Sequence, residues 1–276
     1  MNIKYLAIAL FLFTLSMNGQ DNKVKKVTNK GKLFVYWGWN WASYSDSDIH
    51  FKGNNYDFTL KNVKATDRPT KFSFRDYFNP GRVTIPQTNF RIGYFFKENY
   101  TISIGVDHMK YVMVPNQDVK IDGTINVGNP KYDGVYNNSD INLASDFLRF
   151  EHTDGLNYVN VQLYRFDDIS KWFGLELENL QINLTEGVGV GVLVPRTNTT
   201  LLNNERHDDF HFSGYGASVG GGLNITFLKH FFIQADIKGG YIYMPNIRTT
   251  VNASDTASQG FYFFQNNILI GGKFRI

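Results

Sequence analysis

The 276-residue chain has no cysteine, only seven prolines and a net charge of +3 at pH 7. Without cysteine it forms no disulfide and carries no lipid thioether, which excludes a lipoprotein. Its longest apolar run, residues 6–15, is shorter than the ~20 residues that a membrane-spanning helix needs, so a helical membrane protein is also excluded. The nearly balanced charge gives no indication of a nucleic-acid partner.

The first residues have the pattern of an export signal. Lys4 precedes the apolar run, and the small residues Ser16 and Gly19 precede a polar stretch that begins at Asp21. We therefore predict a cleaved signal peptide at residues 1–19 and a polar lead-in on the periplasmic side at residues 20–32.

The rest of the chain, residues 33–276, is dominated by segments in which apolar and polar residues alternate. In the last of them, Phe264, Ile268 and Ile270 share one face of a strand, whereas Asn267 and Lys273 share the other. An apolar face toward lipid and a polar face toward the inside is the pattern of an outer-membrane β-barrel. We therefore predict an all-β, transmembrane antiparallel barrel in the outer membrane.

The spacing of the alternating segments predicts about eight strands. Short connections at residues 97–99, 167–175 and 228–230 alternate with long ones, as expected for periplasmic turns and extracellular loops. Residues 56–63 and 146–153 are candidates to extend the strands above the membrane, and a ten-strand alternative recruits residues 51–60. A barrel of eight strands has an interior that side chains fill, without a wide channel.

The export signal, the alternation of strands and loops, a set of aromatic residues and a last strand with Gly271, Phe274 and Ile276 together resemble small outer-membrane β-barrel proteins of the Bacteroidota type. The aromatic residues suited to the membrane interfaces are Trp37, Trp39, Tyr94, Tyr164, Tyr241 and Tyr243. The resemblance implies the fold, a Gram-negative outer membrane and recognition of the C-terminal strand by the insertion machinery. It implies no catalytic residue, because most of these proteins have no assigned activity.

Several charged residues have the parity of the barrel interior. They are Arg91, Asp107, Asp236, Lys238, Lys273 and Arg275. Because an unpaired buried charge is strongly unfavourable, we expect these residues to form a salt-bridge network, with a narrow ion path as the alternative. Glu186 shares the parity of lipid-facing valines, so we predict a β-bulge at residues 185–187 that turns it inward, or else a functional carboxylate in the membrane.

Histidines near the outer rim suggest an enzymatic alternative. Asp107 and His108 on one strand and Glu151 and His152 on the next should lie at similar heights, and a histidine beside a carboxylate is suited to act as a general base. Glu151, His152 and Thr153 faintly resemble the histidine and hydroxyl arrangement of barrels that deacylate lipid A. We retain this as a hypothesis beside that of an ordinary hydrogen-bonded rim.

A loop at residues 205–211 has a composition that suits a divalent metal. His207 and His211 are the candidate ligands, with neighbouring carboxylates. In an extended chain the two histidines would lie roughly 13 Å apart, so a solvated loop is the alternative. We expect no cofactor and no resident metal.

The first long loop is basic and aromatic, which suits contact with the phosphates or sugars of lipopolysaccharide. Its candidate binding residues are Lys61, Lys64, Arg68, Lys71 and Arg75. The sequence thus favours a structural or surface-binding role, with outer-membrane lipid, lipopolysaccharide, a glycan or an unknown protein as partner. A lipid A-modifying enzyme and a narrow porin-like solute pore are the two alternatives.

Overall fold

The computed structural model describes residues 28–82, 85–175, 177, 179–204, 206–207 and 209–275. The predicted signal peptide, the first part of the lead-in and Ile276 lie outside the described residues. Within the described ranges, no helix has the length and apolarity that a membrane crossing requires.

The described chain is built almost entirely of antiparallel strands, with three short helical turns. The helical turns are α1 (Phe74–Tyr77) and two 3-10 turns at Pro80–Arg82 and Ser170–Phe173. The strands are β1 (Lys32–Tyr44), β2 (Ser47–Gly53), β3 (Tyr56–Val63), β4 (Ala65–Thr66), β5 (Thr88–Phe95), β6 (Tyr100–Met113), β7 (Asp118–Ile125), β8 (Gly134–Asn142), β9 (Leu148–Asp168), β10 (Leu180–Leu193), β11 (Asn198–Leu201), β12 (Gly214–Phe227), β13 (Phe231–Arg248) and β14 (Thr256–Arg275).

Eight of these strands form a closed ring in the order β1-β5-β6-β9-β10-β12-β13-β14. The ring closes where β14 pairs with β1, from Lys32 opposite Arg275 to Tyr44 opposite Phe263. The predicted barrel of eight strands is therefore confirmed. The ten-strand alternative is wrong, because residues 51–60 belong to β2 and β3, which lie in a sheet above the ring.

The predicted parity of the strands is confirmed by the burial of their side chains. Along β5, Phe90, Ile92 and Tyr94 are exposed on the outside, whereas Arg91 and Gly93 are buried inside. The same alternation runs along the other ring strands, because successive side chains point to opposite faces of a sheet.

Tyr164 does not belong to an aromatic girdle, contrary to the prediction. Its side chain is buried inside the barrel, on the same face of β9 as Asn160 and Gln162. Room for the ring comes from Gly187 and Gly220 on the next two strands, where a Cβ atom would collide with Tyr164. Parity thus decides the direction of this side chain, and the aromatic preference for the interface does not.

The predicted bulge near Glu186 is wrong. β10 pairs with both neighbours without a register shift, so that Glu186 lies opposite Arg165 on one side and Gly221 on the other. Glu186 consequently faces outward, as does Arg165. In the register of β6 and β9, Arg165 lies opposite Tyr100 at the periplasmic end of β6. A cation at the neighbouring outward position removes the need for a bulge.

The outer surface of the ring is lined with exposed apolar side chains. Exposed Ile, Val and Leu side chains form its middle, and exposed tyrosines mark the end with the long connections: Tyr215, Tyr241, Tyr243 and Tyr262. A closed antiparallel ring satisfies its backbone hydrogen bonds internally, which is the condition for strands to cross a bilayer. The chain is an outer-membrane β-barrel with long extracellular connections and short periplasmic turns.

Above the membrane, β2, β3, β7 and β8 extend the sheet from the upper end of β14. We call these four strands with the upper ends of β13 and β14 the extracellular sheet. One face of it closes over the mouth of the barrel and buries a continuous apolar core. Its most buried side chains include Ile49, Phe51, Phe58, Leu60, Met109, Tyr111, Ile121, Phe147, Phe150, Leu156, Ile242 and Met244.

Candidate functional site

The barrel interior holds a buried charge cluster centred on Asp107 of β6. The Asp107 carboxylate accepts a hydrogen bond from Lys238 Nζ at 2.6 Å and lies 3.4 Å from Arg91 Nη2. All three side chains are at most 2% exposed. One anion thus holds two cations, one from the adjacent strand β5 and one from β13, which lies across the barrel from β6.

Neutral side chains complete the cluster. Asn160 donates to Asp107 at 3.1 Å and accepts from Arg91 at 2.7 Å, and Arg91 Nε donates to the Tyr36 hydroxyl at 2.9 Å. With its amide oxygen turned toward the cations, Gln162 accepts from Lys238 at 3.0 Å and from Arg91 at 3.1 Å. Each charged group therefore has several hydrogen bonds, the condition under which buried ions are tolerated.

The remaining charged residues of the predicted network lie in different places. Asp236 is buried two positions from Lys238 on the same face of β13, but it forms no ion pair with any residue that the structure describes. Lys273 lies lower in the barrel, where its Nζ donates to Asn29 at 3.1 Å and to Gln181 at 3.4 Å. Arg275 is exposed at the periplasmic rim and donates to the backbone carbonyl of Lys30.

Apolar layers enclose this cluster on both sides. Toward the periplasm, Phe34, Phe95, Phe232 and Leu269 pack with Tyr36 into a buried group. Toward the outside, the core beneath the extracellular sheet covers the mouth. Ions would have to pass through both apolar layers, so the described interior is suited to holding the strands together rather than to conduction.

The structure separates the rim residues that suggested catalysis. Asp107 faces the interior, whereas the adjacent His108 faces the other side of β6 and contacts Asn157 at 2.8 Å. His152 is fully buried, contacts Thr197 Oγ1 at 2.9 Å and packs against the rings of Phe150 and Tyr111. No carboxylate contacts either imidazole among the described residues.

His152 has the electrostatic properties of a core residue. It lies on the part of β9 above the membrane, and burial lowers the pKa of His152 from 6.5 to about 3. Glu151 points to the opposite face and pairs with Arg68 at 3.0 Å. A general base must reach its substrate, and this neutral, enclosed imidazole does not.

The two metal candidates lie in one extracellular connection, between β11 and β12. The backbone N–H of His207 donates to Thr249 and that of His211 to Pro195. Burial and the neighbouring Arg248 and His207 lower the pKa of His211. The positive charge of Arg248 near this imidazole also disfavours binding of a metal cation there. The described residues contain no group of three His, Asp or Glu side chains arranged for a metal, and the intervening Glu205 and Asp208 lie outside them.

The basic residues of the first long loop separate into two groups. Lys61 pairs with Asp48 at 3.6 Å on the extracellular sheet, and Arg68 pairs with Glu151. Lys64, Lys71 and Arg75 are exposed, and none of them forms an ion pair with any residue that the structure describes. Only this second group has a positive charge available for an external anion.

Sequence reasoning missed the extracellular sheet as a unit. The signal was present, because Ile49 and Phe51 alternate with polar residues, as do Phe58 and Leu60 after a short turn. Two such segments joined by a tight turn indicate a hairpin. Their assignment to a long loop followed from the rule that outer-membrane barrels have long external connections.

No protein-family model matches the chain, and no curated protein matches it. Solved structures with similar folds include OprG from Pseudomonas aeruginosa, with 10% identity, a TM-score of 0.43 and coverage of 90% of this chain and 98% of that one. Neisserial surface protein A has 8% identity, a TM-score of 0.30 and coverage of 86% and 98%. Ail from Yersinia pestis has 10% identity, a TM-score of 0.27 and coverage of 87% and 99%. Similarity at this level concerns the fold and assigns no role.

Proposed function

We propose that this protein is a non-conducting outer-membrane anchor that presents the extracellular sheet to a binding partner at the cell surface. The observation that carries the proposal is the extracellular sheet itself, which has four strands of its own and a buried apolar core. Plain connections between barrel strands need only a few residues. Ordered structure of this size is typical of loops that bind.

The surface of the extracellular sheet favours a partner recognised by shape and hydrogen bonds. Its lysines are largely neutralised, since Lys120 pairs with Asp140 at 2.7 Å and Lys61 with Asp48 at 3.6 Å. β8 is the last strand of the sheet, is exposed along most of its length and is rich in Asn, Ser and Asp. A protein segment or a glycan suits such a surface better than a polyanion does.

The interior argues against the pore alternative, and the burial of His152 argues against the lipid A-modifying enzyme. The charge cluster and its two apolar layers leave the described lumen filled by side chains. Neither alternative has a specific observation in its favour.

Export through a signal peptide at residues 1–19 and insertion through β14 belong to the same proposal, as does an origin in a Gram-negative envelope of the Bacteroidota type. The alternating faces of β14 support recognition of this strand by the insertion machinery. N-terminal sequencing of the protein extracted from membranes tests the first step, with Gln20 expected as the first residue.

Photo-crosslinking on intact cells tests the binding role. A photoreactive residue replaces Val135 on β8, which is 83% exposed, and in the control it replaces Trp172 on a periplasmic turn, which is 77% exposed. We expect an adduct of defined mass at position 135 on intact cells and none at position 172. Discrete conductance steps in planar bilayers, or a changed lipid A acyl pattern in a deletion strain, would contradict the proposal.

A further inference from the structure

β5 is shorter than its two neighbours, which leaves a gap in the upper barrel wall. It begins at Thr88, opposite Trp39 of β1, whereas β1 continues to Tyr44 and β6 continues to Met113. The segment before β5 covers this gap. We call residues 70–82, which include α1, the aromatic segment.

Hydrogen bonds fix the aromatic segment and the residues next to it against the wall. Lys110 Nζ of β6 donates to the Ile85 carbonyl at 2.8 Å and to Thr70 Oγ1 at 3.3 Å, and the Tyr77 hydroxyl donates to the Thr70 carbonyl at 2.6 Å. Ser73 caps α1 by accepting from the Asp76 N–H. The segment is therefore folded in place.

The outward side of the aromatic segment is apolar and exposed. Phe72, Phe74 and Phe78 are 65%, 76% and 55% exposed. The Phe74 ring stacks on that of Phe78, with 5.6 Å between the ring centroids. The Phe78 ring packs edge-on against Trp39, also with 5.6 Å between the centroids. Trp39 is on the lipid-facing side of β1, so the exposed rings continue the lipid-facing surface of the barrel.

The charges around these rings are positive. Asp76 forms an ion pair with Arg82 at 3.2 Å, whereas the exposed Lys71 and Arg75 form no ion pair within the described chain. An apolar surface bordered by cations, and continuous with a surface already in lipid, matches the boundary between acyl chains and anionic headgroups.

We propose that the aromatic segment is a membrane-interface anchor that binds an anionic lipid of the outer leaflet, with Phe72, Phe74 and Phe78 among the acyl chains and Lys71 and Arg75 at the phosphates. The occupant is the lipid of the surrounding leaflet. This site is separate from the extracellular sheet, whose lysines are paired, so the anchor and the surface-binding role stand or fall independently.

The absence of cysteine makes depth measurements direct. Single-cysteine variants Phe74→Cys, Val135→Cys and Val190→Cys carry an environment-sensitive fluorophore, and the protein is reconstituted in vesicles that contain lipids spin-labelled at shallow or deep positions. Val190 is on the lipid-facing wall and Val135 is on the extracellular sheet. We expect several-fold quenching at position 74 by the shallow label, quenching at 190 by the deep one, and none at 135. Quenching at position 74 no greater than at 135 overturns the anchor.

Lipid retention tests the charged part of the proposal. The variant Lys71→Gln/Arg75→Gln is compared with Lys120→Gln/Lys131→Gln, which loses the same charge from two ion pairs, one on the extracellular sheet and one beside it after β7. Both are extracted in mild detergent from vesicles that contain phosphatidylglycerol and phosphatidylcholine, and bound lipid is measured by mass spectrometry. We expect the first variant to lose phosphatidylglycerol several-fold and the second to match the wild type. Equal retention in both variants overturns the assignment of these cations.

Discussion

Replacement of Asp107 by asparagine is the sharpest test of the buried charge cluster. The substitution keeps the shape of the side chain, so it leaves no cavity, but among the described residues it removes the only charge that contacts both Lys238 and Arg91. Breaking a buried ion pair by removing one partner costs about 3–5 kcal/mol, because the remaining charge is left uncompensated. We expect Asp107→Asn to lower the free energy of unfolding by an amount in that range.

The matched control is Asp167→Asn at the periplasmic rim. Asp167 pairs with Arg165 at 2.8 Å, but the two side chains are 30% and 47% exposed. Exposed pairs contribute about 0–1 kcal/mol, so the same chemical change should cost far less there. Adding Lys238→Met to Asp107→Asn should restore part of the loss, since it removes one of the two unpaired cations.

The free energies come from reversible urea unfolding in lipid vesicles, followed by tryptophan fluorescence. The difference in migration between unheated and boiled samples in electrophoresis shows that each variant still forms a barrel. If Asp107→Asn costs no more than Asp167→Asn, the interior charges do not stabilise the fold.

Three further predictions concern other parts of the molecule. Ile237→Arg places a charge on the lipid-facing side of β13 and should cost about 2–4 kcal/mol of unfolding free energy near the midplane, whereas Val135→Arg on β8 should change it by less than about 0.5 kcal/mol. His152 has a folded pKa of about 3, below its unfolded value of 6.5, so its contribution to stability is complete above pH 6.5 and lost as the pH falls toward 3. Between pH 6.5 and 5 the wild type should therefore lose roughly 1.5–2 kcal/mol more than His152→Gln in urea titrations. A tag at Asn137 should be labelled on intact cells and one at Trp172 only after permeabilisation, and the reverse would invert the topology.

The ring and its two faces were predictable from the sequence because they follow from period-two alternation. Arg91, Asp107 and Lys238 could be assigned to the interior by parity alone. Their convergence at one height could not, because it depends on the stagger between strands that are far apart in the chain. A shift of two residues in one strand preserves its parity but moves a charge away from its partner.

The wrong predictions for Glu186 and Tyr164 share a cause. The sequence of one strand does not show which side chains lie next to it on the neighbouring strands. The sequence of β10 alone indicates that Glu186 is an unpaired charge in lipid, because it does not show that Arg165 lies opposite. Tyr164 was assigned to the membrane interface because the sequence of β9 does not show that Gly187 and Gly220, on the next two strands, leave room for its ring inside the barrel. In the aromatic segment, the composition was visible in the sequence, but the gap above Thr88 that brings it to the lipid-facing wall depends on three strand lengths.

The order of layers in the interior connects the barrel to the part that we expect to bind. Apolar packing tolerates small shifts between strands, whereas Asp107 reaches Lys238 and Arg91 in only one stagger of β5, β6 and β13. β13 and β14 then carry this alignment above the membrane, where Ile242 and Met244 enter the core beneath the extracellular sheet. A stagger fixed in the membrane therefore also fixes the sheet outside it.

Weakening the charge cluster should thus loosen the extracellular sheet before the barrel unfolds, and Asp107→Asn should raise amide hydrogen exchange in β2 and β3 while the ring strands stay protected. Exchange confined to the ring in this variant would show that the two parts are held independently.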